Sequence, residues 1–462
     1  MELAVSSLPR LAAVCLAVVF SSAGHAQPLV IRGGSIFSGT GDRMHANTGI
    51  VVVNGRLMEV GANLEKRELE SARVIDLGDD DYILPGIFDL HAHYNMTLNE
   101  IRREETEVTP VIYLANGVTS TFPAGAFDPM AMLECRARID RGEQPGPRIF
   151  NSGPYFGPAR PGWDPDMPLE QIRAEVDRWA ELGVAGFKAK RISAPHLQAL
   201  IDRAHRHGLT VTAHLDSGYN DTVNPRDAIH MGIDRVEHFL GGDAISADKP
   251  AYDSLVDVRP DTPEFKRIAE LFVRHGVFFD PTLTAYGYYG DRGEVFEQWS
   301  DERSYFTPYT RELTKERRQR IEQFGRIYET KLRTIKAFYD LGGADLIVLG
   351  TDHASVGEYL AGFSAHRELH AIVLAGIPEA VALRIATING ARALNVGDRL
   401  GSIEVGKWAD LIVIRGNPLE DIRNTRRVRI VIKGGEVYEP QALLEPLLGK
   451  LGPRGAEEVI HW

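Results

Sequence analysis

Cysteine is scarce in this sequence: its 462 residues carry two, Cys15 and Cys135. That excludes a small scaffold stapled by disulfides. An excess of basic residues is also missing. Lys and Arg number 52 against 64 Asp and Glu, a formal net charge of −12, so a nucleic-acid partner, which would want a basic patch, is not expected. Long apolar runs are absent as well. The stretch 11–20 (LAAVCLAVVF) has ten apolar residues, whereas crossing a bilayer core of about 30 Å takes roughly 20. No internal repeat and no low-complexity tract interrupts the chain. What remains is 44% hydrophobic and 25% charged residues with 45 Gly and 25 Pro, which excludes disordered, collagen-like and coiled-coil chains. The length allows one large domain or two to three ordinary ones around a sizeable core.

The apolar stretch 11–20 follows Arg10 and precedes SSAGHAQP, with small residues at Gly24 and Ala26. It reads as a signal peptide over 1–26, cleaved after Ala26, and predicts a periplasmic or secreted protein with no stable membrane insertion. Cys15 belongs to that leader, so Cys135 alone remains and no intramolecular disulfide forms.

After the leader, LVIRGGSIF, GIVVVNGRLMEVG and ARVIDLG alternate apolar and polar residues around Gly and Asn-Gly turns; ADLIVIRGN and RVRIVIKGGEVYE do the same near the other end. Two β-rich ends predict one small sheet domain built from 27–82 and 396–440, each end completing edges the other leaves unpaired. The middle, 83–395, has a different rhythm. Eight short apolar runs recur: ILPGIFDLHAH, GVTSTF, RIFN, GVAGFKA, LTVTAH, IDRVEH, GVFFDPTL and DLIVLGTD. Amphipathic stretches such as LEQIRAEVDRWAELG lie between them. The class is α/β, a parallel sheet covered on both faces, and eight units favour a closed (β/α)8 TIM-type barrel with its chemistry at the C-terminal strand ends. Residues 300–340 read as two charged helices, either a lid or a solvated peripheral pair. Residues 441–462 read as a C-terminal tail, its last residues (GPRGAEEVIHW) loose.

His91 and His93 close the first of these runs, two residues apart on one strand face. His214 ends LTVTAH, His238 ends IDRVEH, Asp352 ends DLIVLGTD and Lys188 ends VAGFK. Each is costly to bury singly in a barrel interior, and together they satisfy one another around cations. His205 and His207 fall in a helix and read as surface residues, while His353 faces away from Asp352 along the strand. Four imidazoles, a carboxylate and a lysine exceed what one tetrahedral zinc can use. A neutral lysine that adds carbon dioxide becomes an anionic carbamate able to bridge two divalent ions sharing a hydroxide. A carboxylate beside that water can take its proton and hand it to a leaving amine. Lys190, two residues on and facing the same way, is an alternative bridge.

LPGIFDLHAH resembles the first barrel strand of the amidohydrolase superfamily. LVIRGGSIFSGTG…GIVVVNGRLMEVG and ATINGARAL…LGSIEVGKWADLIVI…VIKGGEVY resemble the β-sandwich and closing segments of its imidazolonepropionase-like and prolidase-like branch. The resemblance implies that His91, His93 and Asp352 hold a first, buried metal, His214 and His238 a second, and a carboxylated Lys188 bridges them. Two Zn2+ ions are the implied occupants, with Asp352 as general base and then acid. Many dipeptidase-like relatives carry Arg-Asp after the second strand; here GVTSTFPAG places Pro123 there. Tyr94, Arg191 and Tyr286, with Tyr288 and Tyr289, are candidates for substrate contacts. The expected activity is hydrolysis of a C–N amide bond in a small molecule such as a dipeptide or an N-acyl amino acid. A mononuclear deaminase or cyclic amidase using His91, His93, His214 and Asp352, a lactonase or phosphotriesterase, and a non-catalytic binding protein on the same scaffold are the competing readings. Assembly into a homo-oligomer is left open.

Overall fold

A computed structural model describes residues 27–46, 49–61, 72–98, 101–290, 300–314, 321–353 and 360–459; the predicted signal peptide lies outside them. Near the chain ends, short apolar strands pair across hundreds of residues. One sheet has the order Arg56–Val60, Ile50–Val53, Leu29–Arg32, Arg73–Asp76. Its hairpin turns on Asn54 and Gly55, at φ +50° and +73°, the left-handed pair that matches the twist of the flanking strands. A second sheet runs Glu436–Tyr438, Val428–Lys433, Leu411–Arg415, Asp81–Pro85, Ser35–Phe37, Met44–Ala46. There Leu84 pairs with Ile412, so the C-terminal strands complete a sheet begun by the N-terminal ones. Leu29, Ile31, Ile50 and Val52 of the first sheet share an apolar core with Ile36, Ile83, Leu411, Val413 and Ile432 of the second. Each such side chain, fully buried, contributes about 1.5–3 kcal/mol.

Between these ends the strands are parallel, apart from an antiparallel hairpin of Asn95–Leu98 and Ile101–Glu104. Ile87–Ala92, Val118–Pro123 and Arg148–Ile149 form one sheet. Tyr155–Phe156, Gly186–Lys190, Thr210–His214, Arg235–Glu237 and Phe278–Asp280 form another. A bridge between Ala126 and Pro154 joins the two. At the far edge Phe279 bridges to Ile347, and Leu90 N donates to Leu349 O at 2.9 Å. The run DLIVLGTD thus links the last strand back to the first. Helices fill the connections: Leu169–Glu181 buries Ile172, Val176 and Trp179, one stripe at helical spacing, and the chain turns at Gly183, φ +79°. Among the described residues no helix is long and apolar enough to cross a membrane.

Residues 300–340 do include two helices, Pro308–Leu313 and Glu322–Phe338. The second is no solvated peripheral helix: it buries Ile327, Tyr328, Lys331, Ile335 and Phe338. The described part of the C-terminal stretch, up to Val459, is packed through Leu451 and Val459. Leu451 is 1% exposed and joins Met96, Leu98, Tyr305, Phe306 and Phe363 in one cluster, and Thr307 N donates to its carbonyl at 2.9 Å.

Cys135 is buried on Pro129–Asp140. Burial pushes its thiol up to about 12, which leaves on the order of a thousandfold less thiolate at pH 8 than an ordinary cysteine holds. Alkylation of the Cys135 peptide, followed by mass spectrometry at pH 8, is expected to be undetectable in the folded protein and complete after denaturation. Ready labelling of the folded protein contradicts this placement.

Candidate active site

The period-two geometry of Ile87–Ala92 delivers Asp89 and His91 to one face, with His93 just beyond the strand end. Asp352 N donates to His91 O at 3.0 Å, and φ of +47° at Asp352 turns its carboxylate back between two rings. Its Oδ1 lies 3.2 Å from His91 Nε2 and 2.9 Å from His93 Nε2. Burial opposes ionisation of Asp352, but the contacts with His91 and His93 outweigh it and hold the carboxyl well below the ordinary range. Burial also lowers His93 to about 4, despite the carboxylate beside it, and holds His214 and His238 well below their usual value. These three imidazoles are therefore neutral near pH 7, the form in which they ligate metals.

Asp89 locks the first strand to the last run. Its carboxylate accepts from His91 N at 3.1 Å, Thr351 N at 3.1 Å and the Thr351 hydroxyl at 2.8 Å.

Lys188 and Glu237 form a fully buried pair, Nζ donating to Oε2. Burial, and then Lys190, push the Lys188 ammonium well below its usual range. The other Glu237 oxygen accepts from the Thr212 hydroxyl at 2.9 Å, and Arg235 Nε donates to that same hydroxyl oxygen at 3.1 Å. Glu237 Oε2 is 3.6 Å from His91 Nδ1, and Asp280 Oδ2 is 3.0 Å from it. Lys190, further along the same strand, is only partly buried.

His214 and His238 are adjacent, ring centroids 4.1 Å apart, with His238 5.1 Å from His91. His214 Nε2 meets the Tyr252 hydroxyl at 3.2 Å. His238 has φ +71°, and its Nδ1 meets the Thr282 hydroxyl at 2.8 Å. Its Nε2 is buried without a hydrogen-bond partner among the described residues. Two groups of ligating atoms lie within 4.8 Å of one another: His91, His93 and Asp352, and His91, Glu237 and His238. Neutral imidazoles with carboxylates suit zinc and similar divalent ions, and the orphaned Nε2 is what a ligand atom awaiting a cation looks like.

The structure brings the six predicted metal residues into one cluster. Arg191 is half exposed beside it: its backbone N donates to His214 O at 3.0 Å, and Nε lies 3.7 Å from Asp216 Oδ2. Tyr286 is buried with its ring 6.0 Å from His238 and stacked on Phe324 at 5.4 Å. Tyr94 is placed differently from the expected substrate contact. It is buried against Tyr113, and its hydroxyl is taken up by Thr121 Oγ1 at 2.8 Å. His205 and His207 sit on the surface against Asp234 and Asp177.

Sequence reasoning did not single out Asp89, Glu237, Asp280, Thr282 or Tyr252. Asp89 was within reach, since D-x-H-x-H puts all three side chains on one strand face. Glu237 was not. Alternation places Glu237 and His238 on opposite faces, and only the left-handed backbone of His238 turns both into the site.

The model of the amidohydrolase family matches residues 82–438. Among solved structures, a Xaa-Pro dipeptidase with bound methionine is similar at a TM-score of 0.66 and 21% identity, over 89% of this chain and 100% of that one. A molinate hydrolase is similar at 0.67 and 21%, over 94% and 99%. An ochratoxinase of A. niger is similar at 0.64 and 18%, over 93% and 98%. At such identities the likeness carries the fold alone. A 5-methylthioadenosine/S-adenosylhomocysteine deaminase of Teredinibacter turnerae is 41% identical over 83 residues, which span 16% of this chain and 18% of that protein. The chain belongs to the amidohydrolase family and is a hydrolase acting on carbon–nitrogen bonds.

Proposed function

We propose that the chain is a binuclear metal hydrolase that cleaves the amide bond of a small substrate such as a dipeptide or an N-acyl amino acid. The observation that carries this reading is the convergence of His91, His93, His214, His238, Lys188 and Asp352, with Asp352 wedged between two imidazoles and a buried His238 Nε2 left without a partner. In this reading the eight parallel segments make a closed (β/α)8 barrel beside a β-sandwich, and the chain is exported after cleavage near Ala26.

His91, His93 and Asp352 would hold one ion, His214 and His238 the other, and a carbamate on Lys188 would join them, zinc being the ion proposed. Bound there, divalent ions supply a water acidic enough to lose its proton near neutral pH and a positive charge for the scissile carbonyl. The residues do the rest. Burial, and then Lys190, lower the proton affinity of the Lys188 amine, which favours the neutral form that adds carbon dioxide. Asp352 Oδ1 is held by both imidazoles, leaving Oδ2 to receive a proton and deliver it to the departing nitrogen. Arg191, half exposed at the cluster's edge, pairs with a carboxylate on the substrate. Tyr286 and Phe324 wall one side with apolar surface.

A specific observation favours a second reading. Lys188 is already committed to Glu237, which leaves His91, His93 and Asp352 as a group able to hold one ion, joined by His214 in the reading of a mononuclear deaminase or cyclic amidase. Metal per chain, measured by elemental mass spectrometry after reconstitution with Zn2+ and bicarbonate, decides between them. Two ions per chain are expected, together with turnover in a screen of dipeptides and N-acyl amino acids. One ion per chain transfers the assignment to the mononuclear reading.

A further inference from the structure

Glu368 lies on Phe363–Leu374, wholly buried, and both of its carboxylate oxygens are spent on one short stretch of backbone. Oε1 accepts from Leu283 N at 2.8 Å. Oε2 accepts from Thr284 N at 2.6 Å and from the Thr284 hydroxyl. Those amides begin immediately after Thr282, and the plane that carries Leu283 N is the plane that ψ of Thr282 rotates. On the other side Pro281 restricts the chain, and the carbonyl of Asp280 accepts from His238 N at 2.7 Å. Thr282 is thereby clamped in the left-handed region, φ +48°. A β-branched residue is rarely found there and stays only where its surroundings dictate it. The outcome of the clamp is the position of one hydroxyl, 2.8 Å from His238 Nδ1.

We infer that Glu368 is a positioning residue for His238, acting through Thr282, and that it sets how tightly His238 captures its metal; this rests on the binuclear reading above. With the Thr282 hydroxyl oxygen accepting from Nδ1, the imidazole keeps its proton there and presents the Nε2 lone pair. The buried, partnerless Nε2 of His238 is the atom so presented. Glu368 itself touches none of the ligating atoms, and its influence passes through backbone geometry.

The test uses the full chain, with Glu368→Gln, Thr282→Val and Thr282→Ser beside the wild type. Co2+ and Zn2+ are titrated against a competing chelator, and the two binding steps are resolved. Glu368→Gln and Thr282→Val are expected to weaken the second step by about 10- to 100-fold, the usual effect of losing an outer partner of a ligand. The first step should stay within about twofold, and Thr282→Ser, which keeps the hydroxyl, should restore the second. Equal weakening of both steps, or of neither, in Glu368→Gln overturns the inference. A wild type that binds a single ion refutes the binuclear reading instead, and the inference is then judged on the metal-free protein. Long-range 1H–15N correlation of labelled histidines, with the His238 ring identified by its loss in His238→Gln, is expected to show an unprotonated Nε2 in the wild type and mixed tautomers in Glu368→Gln. An unchanged tautomer in Glu368→Gln overturns the inference.

Discussion

Asp352→Asn is expected to fold as the wild type does and to lose between about 10² and 10⁴ of kcat, the range that a positioned proton carrier supplies. The substitution changes almost no volume, and the bond from its backbone N to His91 O does not involve the side chain. A carboxamide oxygen can still face His91 and His93, 3.2 and 2.9 Å away in the native protein. What it cannot do is accept and return a proton. Steady-state kinetics on whichever amide the screen identifies, with circular dichroism and metal content measured alongside, separate chemistry from folding and from ligand loss. A variant within tenfold of wild-type kcat removes Asp352 from proton transfer.

Lys188→Ala should fail twice over. Its side chain is 1% exposed, and its Nζ donates to a Glu237 carboxylate that is wholly buried. Removing one member of a buried pair strands the other, which costs about 3–5 kcal/mol. The second metal equivalent should go as well, and with it the turnover. Acetate or propionate, entering the vacated space, should restore part of both, because a small carboxylate stands in for the lost carbamate. Thermal unfolding reads the first effect and metal per chain the second; Lys188→Met, which fills the volume, keeps the measurement possible if the alanine variant does not fold. Lys190→Ala serves as the control, since that side chain is only partly buried. If Lys190→Ala abolishes the second equivalent and Lys188→Ala does not, the bridge belongs to Lys190.

Much of this centre was legible from spacing. His91, His93, Lys188, His214, His238 and Asp352 all end apolar runs, and parallel strands gather their C-terminal ends in one place. What periodicity could not show was backbone that breaks it. His238, Thr282 and Asp352 all have positive φ without being glycine, and that conformation, which no propensity scale foretells, admits Glu237 and turns Asp352 onto the histidines. Tyr94 illustrates the opposite limit. Its place just after a strand end suggested the site, but a neighbouring Thr121 hydroxyl and a Tyr113 face hold it in the core. The end of the chain looked loose because GPRGAEEVIHW is mostly polar, glycine and proline; Leu451, just before it, packs with Leu444 and Leu447 against the cluster of Tyr305 and Phe306.

The strand Asp81–Pro85 depends for one of its two neighbours on Leu411–Arg415, which leaves the ribosome far later. At about 5–20 residues per second, that separation amounts to roughly 15–65 s in which the early strand has an open flank. The first-made end of the chain must therefore wait for the last-made end, and long-range pairing of this kind slows folding. Nascent chains arrested before Leu411 should accordingly depend on a holding chaperone until synthesis is complete, and C-terminal truncations that leave the catalytic cluster untouched should still be lost to aggregation.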